Sequence, residues 1–147
     1  MLTTDPDPIV ASTGRPPMML VVTLALIDRD GRVLLSQRPA GKFLSGLWEF
    51  PGGKLRAGEM PEAALIREID EELGLSITGS CLAPLSFASH CYGEQHLLLL
   101  LFVCRKWDGI PRPNEGQALR WVGVNELKQY PMPPANLPLL AQLRDYL

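Results

Sequence analysis

Long hydrophobic runs are missing from this chain of 147 residues. No window approaches the ~18 consecutive apolar residues of a bilayer-spanning helix. The longest run, Leu97 to Cys104, has the length of a buried strand. Cysteine is scarce. Cys81, Cys91 and Cys104 form neither a CxxC pair nor an even disulfide framework, so reduced thiols packed in strands are expected. An excess of either charge is also lacking: 14 Lys and Arg against 16 Asp and Glu give a formal charge of -2. That balance excludes a protein that coats duplex nucleic acid by bulk electrostatics, yet it leaves room for one nucleotide in a local site. The opening MLTTDPDPIVASTGRPP has no basic stretch leading into an apolar one, so no secretory signal is expected. The expectation is a cytoplasmic protein with no membrane contact, monomeric or homodimeric. No internal repeat is visible.

What is present fits one globular domain. The hydrophobic fraction is 46% and the charged fraction 20%, which excludes disorder throughout. Residues 1–17 carry four prolines and read as a flexible arm, leaving a folded domain over residues 18–147. Met18 to Ile27 and Val33 to Gln37 read as strands, with a hairpin around Asp30-Gly31. Arg38 to Trp48 reads as a loop, broken by Pro39, Gly41 and Gly46. Pro51-Gly52-Gly53 breaks the chain again. Pro61 to Leu73 is the best helix: proline suits its first position, Gly74 suits its stop, and Ala64, Leu65, Ile69 and Leu73 recur at helical spacing. Ile77, Ala83 to Phe87, Leu97 to Arg105 and Leu119 to Val122 are expected strands. A helical turn from Val124 to Leu127 and a final helix from Leu139 to Leu147 follow. The pattern predicts a mixed α/β sandwich.

The helix is unusual in its acids. Glu68, Glu71 and Glu72 stand at i, i+3 and i+4 and share one stripe. They repel one another there, and they occupy the end of the helix where its dipole disfavours negative charge. Helix stability alone does not account for that placement. A hard divalent cation would remove both penalties, because Mg²⁺ and Mn²⁺ take carboxylate oxygens and keep positions open for substrate phosphates. The simpler reading is a solvated face countered by Arg67. The preceding loop tips the balance: Glu49-Phe50-Pro51-Gly52-Gly53-Lys54 brings two glycines where backbone can approach a ligand, and Glu59 adds a carboxylate before the helix.

Gly53, five residues, Glu59, seven residues, Arg67-Glu68-Ile69, one residue, Glu71-Glu72, one residue and Gly74-Leu75 fill every defined position of G-x5-E-x7-R-E-U-x-E-E-x-G-U, where U is a bulky aliphatic. The chain thereby resembles the Nudix hydrolases. The resemblance implies an α/β/α sandwich with the signature as loop–helix–loop, and hydrolysis of a nucleoside diphosphate linked to another group with Mg²⁺ or Mn²⁺. It implies Glu68, Glu71 and Glu72 as metal carboxylates, the Gly52 carbonyl as a backbone ligand, and Arg67 and Glu59 as braces of the loop. Lys54 would face phosphate oxygens. Glu115, in Asn114-Glu115-Gly116-Gln117, aligns with a loop glutamate that some members use near the metals, as a ligand or as the base for the attacking water. The spacing does not say which of Glu59, Glu68 and Glu115 contacts that water.

The stretch LLSQRPAGKFLSGLWEFPGGK and the later PMPPAN look like the MutT branch, whose members hydrolyse oxidised guanine nucleotides. By that resemblance Asn136 would hydrogen-bond the altered purine, Phe50 would contact the base, and Arg38 would lie near base or sugar. Asn136 and Phe50 also have plainer readings, a turn asparagine and a core phenylalanine. Gln95 stands where the branch can carry an arginine, and Met60 occupies a helix cap position where Ser, Thr or Asp would be stronger. The expected reaction is hydrolysis of 8-oxo-dGTP to the monophosphate and pyrophosphate, with attack at the β-phosphorus by family behaviour. The alternatives are a pyrophosphohydrolase for CTP or 5-methyl-dCTP, and a nucleotide-sensing module without catalysis.

Overall fold

The computed structural model describes residues 18–147, so the arm expected over residues 1–17 lies outside the described residues. Alternating apolar residues build the centre. Strand β1 (Met18–Leu26) sends Val22, Leu24 and Leu26 to one face of its sheet, and Ala25, with Ile27 just beyond, to the other. Strand β6 (Gln95–Cys104) does the same with Phe102 and Cys104 against Leu99, Leu101 and Val103. Strands apolar on both faces belong inside a sheet covered on both sides. Accordingly β1 and β6 pair in parallel along their lengths, from Met18 opposite His96 to Leu26 opposite Cys104. They are flanked by β4 (Gly52–Lys54) and β5 (Ala83–Tyr92), giving the order β4-β1-β6-β5. A second, antiparallel sheet runs β3 (Trp48–Glu49), β2 (Val33–Gln37), β7 (Ala118–Val122).

Two helices cover the faces. Helix α1 (Pro61–Leu73) buries Ala64, Leu65, Ile69 and Leu73 against Val22, Leu24 and Leu26. Helix α2 (Leu137–Tyr146) buries Leu139 and Leu143 against Ala25, Leu99 and Leu101. The expected α/β/α sandwich is therefore present. Pro61 sits in the first turn of α1, and Gly74 ends it at φ 67°, a left-handed conformation that glycine adopts without a Cβ penalty, with its N–H donating to the Asp70 carbonyl at 2.9 Å. Met60 caps α1 without a side-chain bond, as its chemistry requires. No helix among the described residues is long and apolar enough to cross a membrane.

Several elements differ from the sequence expectation. The turn at Asp30-Gly31 forms, closed by the Asp28 N–H on the Arg32 carbonyl at 3.0 Å, but no hairpin follows. β1 and β2 share only the Ile27–Val33 bridge and then enter different sheets, because β4 and β6 already occupy the edges of β1. Gly52 to Lys54 forms a short strand on Val21 to Thr23 where only a break was expected. Ile77 is buried beside α1 but not in a strand; only its neighbour Ser76 makes a bridge, to Asp108. The last helix starts at Leu137 rather than Leu139, since Pro138 is tolerated in a first turn.

Candidate active site

Both glycines of the Pro51-Gly52-Gly53 loop are closely packed, Gly52 against backbone and Gly53 against the end of a side chain. A Cβ on Gly52 would overlap the Val22 carbonyl of β1, and one on Gly53 would overlap the Glu68 carboxyl of α1. Strand β4 is thus the edge of the central sheet that lies against the acidic helix. The Gly52 N–H donates to Glu72 Oε2 at 3.3 Å. Arg67 organises the next turn: its Nε and Nη2 grip the two Glu59 oxygens at 2.8 Å each, and Nη1 donates to Glu68 Oε1 at 2.8 Å. Nη2 also reaches the Lys54 carbonyl at 3.2 Å. A planar guanidinium can hold several acceptors in fixed directions, which lysine cannot. Glu71 stands 3.5 Å from both Arg67 and Arg56 and is 46% exposed.

Beside this helix opens a cleft of about 780 Å³. Arg38, Phe50, Gly52, Lys54, Glu72, Glu115 and Asn136 all line it, drawn from the loop after β2, the β3–β4 loop, β4, α1, the loop before β7, and the turn that precedes α2. Glu59, Arg67, Glu68 and Glu71 do not line it; they form the flank of the same site along α1. Asn136 is 5% exposed, and its Oδ1 has no hydrogen-bond partner. Phe50 is almost fully buried within the core that also holds Leu99 and Ala135, so the plain core reading describes its surroundings.

The electrostatics separate the carboxylates. Burial first, then the charges of Glu68 and Glu115, push the Glu72 carboxyl up to about 9, against the opposing Gly52 N–H. The Arg67 hydrogen bonds, followed by the Arg56 N–H, hold Glu59 down at about 2. The bond to Glu59 in turn raises Arg67. Among the described residues no three acidic, histidine or cysteine side chains come together closely enough to hold a metal ion by themselves. The donor set fits a hard divalent cation once backbone is included: oxygen donors only, one of them a half-buried carboxyl near two like charges, next to glycine backbone that no Cβ obstructs.

Residues 22–142 match the NUDIX domain profile. The chain belongs to the Nudix hydrolases. It is 42% identical over 124 residues to a CTP pyrophosphohydrolase of Escherichia coli (strain K12), spanning 83% of this chain and 89% of that protein. It is 32% identical over 117 residues to an 8-oxo-dGTP diphosphatase of the same organism, spanning 80% and 89%. In structure it is similar to a MutT NUDIX hydrolase from Burkholderia pseudomallei, with a TM-score of 0.76 at 30% identity, covering 86% of this chain and 98% of that one. This Nudix hydrolase is therefore a MutT-like nucleotide pyrophosphohydrolase, of a family that uses divalent metal ions.

Sequence reasoning missed much of the cleft wall. Glu49 is half-buried against Arg38, whose Nη2 donates to Glu49 Oε1 at 3.1 Å; desolvation raises the Glu49 carboxyl while Arg38 opposes the rise. Arg38 Nε lies 2.9 Å from the other oxygen without hydrogen-bond geometry. The Arg38 Nη1 also donates to the Phe43 carbonyl at 3.0 Å, so Arg38 braces the loop that borders the cleft. Tyr92 meets Phe43 edge-to-face at 6.2 Å, and its hydroxyl accepts the Ala135 N–H at 3.1 Å. An aromatic–acid–arginine composition around Arg38 was the available signal. Its convergence depends on strand pairing that no local pattern displays.

Proposed function

We propose that this Nudix hydrolase converts a nucleoside triphosphate into the monophosphate and pyrophosphate, with 8-oxo-dGTP as the preferred substrate. The observation that carries the base assignment is the partnerless Oδ1 of Asn136 in the cleft. A carboxamide places an acceptor beside a donor. 8-Oxoguanine presents the complement, a protonated N7 beside O6. Guanine presents two acceptors on that edge. The ordinary base would leave Oδ1 unpaired, and such a mismatch supports strong discrimination.

Glu68, Glu71 and Glu72 with the Gly52 carbonyl would hold Mg²⁺, or Mn²⁺ in its place. The ion would supply charge neutralisation on the phosphates and activation of water. Arg67 and Glu59 orient Glu68, and Lys54 and Arg38 face the nucleotide. Of the three carboxylates open as base, Glu59, Glu68 and Glu115, only Glu115 lines the cleft beside Glu72, which supports it as the group that takes the water proton. Acting on the cytoplasmic nucleotide pool, the enzyme would keep oxidised guanine out of DNA.

The relative named CTP pyrophosphohydrolase, at 42% identity, favours a second reading. Cytosine carries an amino donor beside the N3 acceptor, so the same amide could pair with it. The deciding experiment compares kcat/KM for 8-oxo-dGTP, dGTP, CTP and 5-methyl-dCTP with Mg²⁺. A preference of about a hundredfold for 8-oxo-dGTP over dGTP is expected from strong hydrogen-bond discrimination. A profile led by cytidine nucleotides would keep the chemistry and replace the base.

A further inference from the structure

Gln117 stands just before β7 and is 8% exposed, a buried polar side chain with no part in the signature. Unlike Asn136, its carboxamide is used at both ends. Its Oε1 accepts the Glu115 N–H at 2.9 Å, and its Nε2 donates to the Glu72 carbonyl at 3.1 Å. The two residues that it joins both line the cleft, and the charge of Glu115 reaches the Glu72 carboxyl. Nothing local in the chain sets their separation, because Glu72 ends a helix and Glu115 sits in a distant loop. The same loop also docks through main chain, with the Arg112 N–H on the Leu73 carbonyl at 2.9 Å and the Asn114 N–H on the Glu72 carbonyl at 3.1 Å. Those bonds seat the loop on the helix end. Gln117 alone among these contacts ties the Glu115 backbone to the Glu72 backbone through one rigid amide.

We infer that Gln117 is a positioning residue that sets the spacing between the Glu72 and Glu115 carboxylates. This rests on the reading of those two carboxylates as parts of the metal and water site. A buried amide that only satisfied the end of α1 would contribute to stability and nothing more. A clip between two acid-bearing backbones also controls where a cation and a water can sit, and displacements near 1 Å in such sites lower rates about a hundredfold.

The test uses Gln117→Met, which keeps the length and bulk of the side chain and removes both hydrogen bonds. Mn²⁺ binding without nucleotide, read by electron paramagnetic resonance of the free ion, should weaken about tenfold or more, the range of lost outer contacts at metal sites. In the folded variant kcat should fall by a similar factor while KM for the nucleotide changes little, and the Glu115 amide should exchange with solvent faster. A variant with lowered stability but unchanged Mn²⁺ binding and kcat overturns the inference. Glu72→Gln and Glu115→Gln are measured alongside. If both bind Mn²⁺ as the parent does, the metal-site reading falls and the clip falls with it. If they lose Mn²⁺ and Gln117→Met does not, only the clip is refuted. A measurement on the parent protein covers a Gln117→Met chain that does not fold. Titration with Mg²⁺ alone should shift the Gln117 side-chain amide and Glu115 backbone amide resonances together, and Gln117 resonances that stay fixed while Glu115 moves would overturn the clip.

Discussion

Asn136→Leu separates a residue kept for a ligand from one kept for the fold. In the free protein the Asn136 Oδ1 is buried without a partner, and the side chain makes no cap bond to α2 although it occupies the cap position. A buried polar group left unpaired costs about 1–3 kcal/mol, and leucine of similar shape removes that penalty. For a domain of this size about 1 kcal/mol corresponds to a Tm shift of about 2–4 °C. Asn136→Leu should therefore melt at or above the parent temperature, by up to about 10 °C at the top of that range. Activity should move the other way in one respect only. A bidentate base contact contributes about 1–3 kcal/mol of discrimination. The ratio of kcat/KM for 8-oxo-dGTP over dGTP should then fall about 5- to 150-fold. Differential scanning calorimetry and the two substrates suffice. A Tm several degrees below the parent would mean that Asn136 has a structural partner, and an unchanged ratio would remove it as the base reader.

Glu71→Gln should lower kcat at saturating metal by about tenfold or more while leaving the fold intact, since Glu71 makes only two 3.5 Å contacts from an exposed position; a folded variant with full kcat would remove Glu71 from the metal set. The Glu59 carboxyl, held at about 2 by Arg67 and the Arg56 N–H, binds its proton more weakly in the folded state than in the unfolded one. Its contribution to stability is complete above the ordinary carboxylate pKa and disappears as the pH drops toward 2, so Glu59→Gln should flatten acid unfolding between about pH 4.5 and 2; a curve parallel to that of the parent over this interval would contradict the assignment. Glu72 has the opposite sign: raised to about 9, it favours the metal-free fold at low pH, and the contribution is lost as the pH rises through 9. Mg²⁺ binding at pH 7.5 should consequently release a proton, seen as a binding enthalpy that varies with buffer ionisation enthalpy. Enthalpies equal in phosphate and Tris would place the ion away from Glu72.

What could be read from the sequence was whatever depends on nearby residues. Helix α1 was fixed at both ends by Pro61 and Gly74, and its buried stripe followed from the four-residue spacing of Leu65, Ile69 and Leu73 with Ala64 beside them. Glu59, Arg67 and Glu68 form one network because their separations, eight from Glu59 to Arg67 and one from Arg67 to Glu68, suit a loop that folds back on its own helix. Pairings across the fold were not legible. Arg38 meets Glu49 only because β2 pairs with β3, and the turn at Asp30-Gly31 hides the fact that its two arms part into different sheets. Gln117 resembled any polar loop residue until the end of α1 was placed against it. Asn136 was visible as a residue type, while its orphaned oxygen required the packing of α2 and β6 to be known.

The parallel alignment of β1 with β6 also dictates an order of events during synthesis. Met18 must wait for His96, about 78 residues later, before its edge of the sheet is covered. At about 5–20 residues per second, an apolar strand that is destined for the middle of the molecule stays open on that side for roughly 4–16 s. By the end of that interval the acidic helix and its glycines have been translated, yet Glu115, Gln117 and Asn136 have not. A growing chain thus carries the full signature before the residues on the far wall of the cleft exist, and its uncovered apolar strand is the surface most exposed to aggregation in that time.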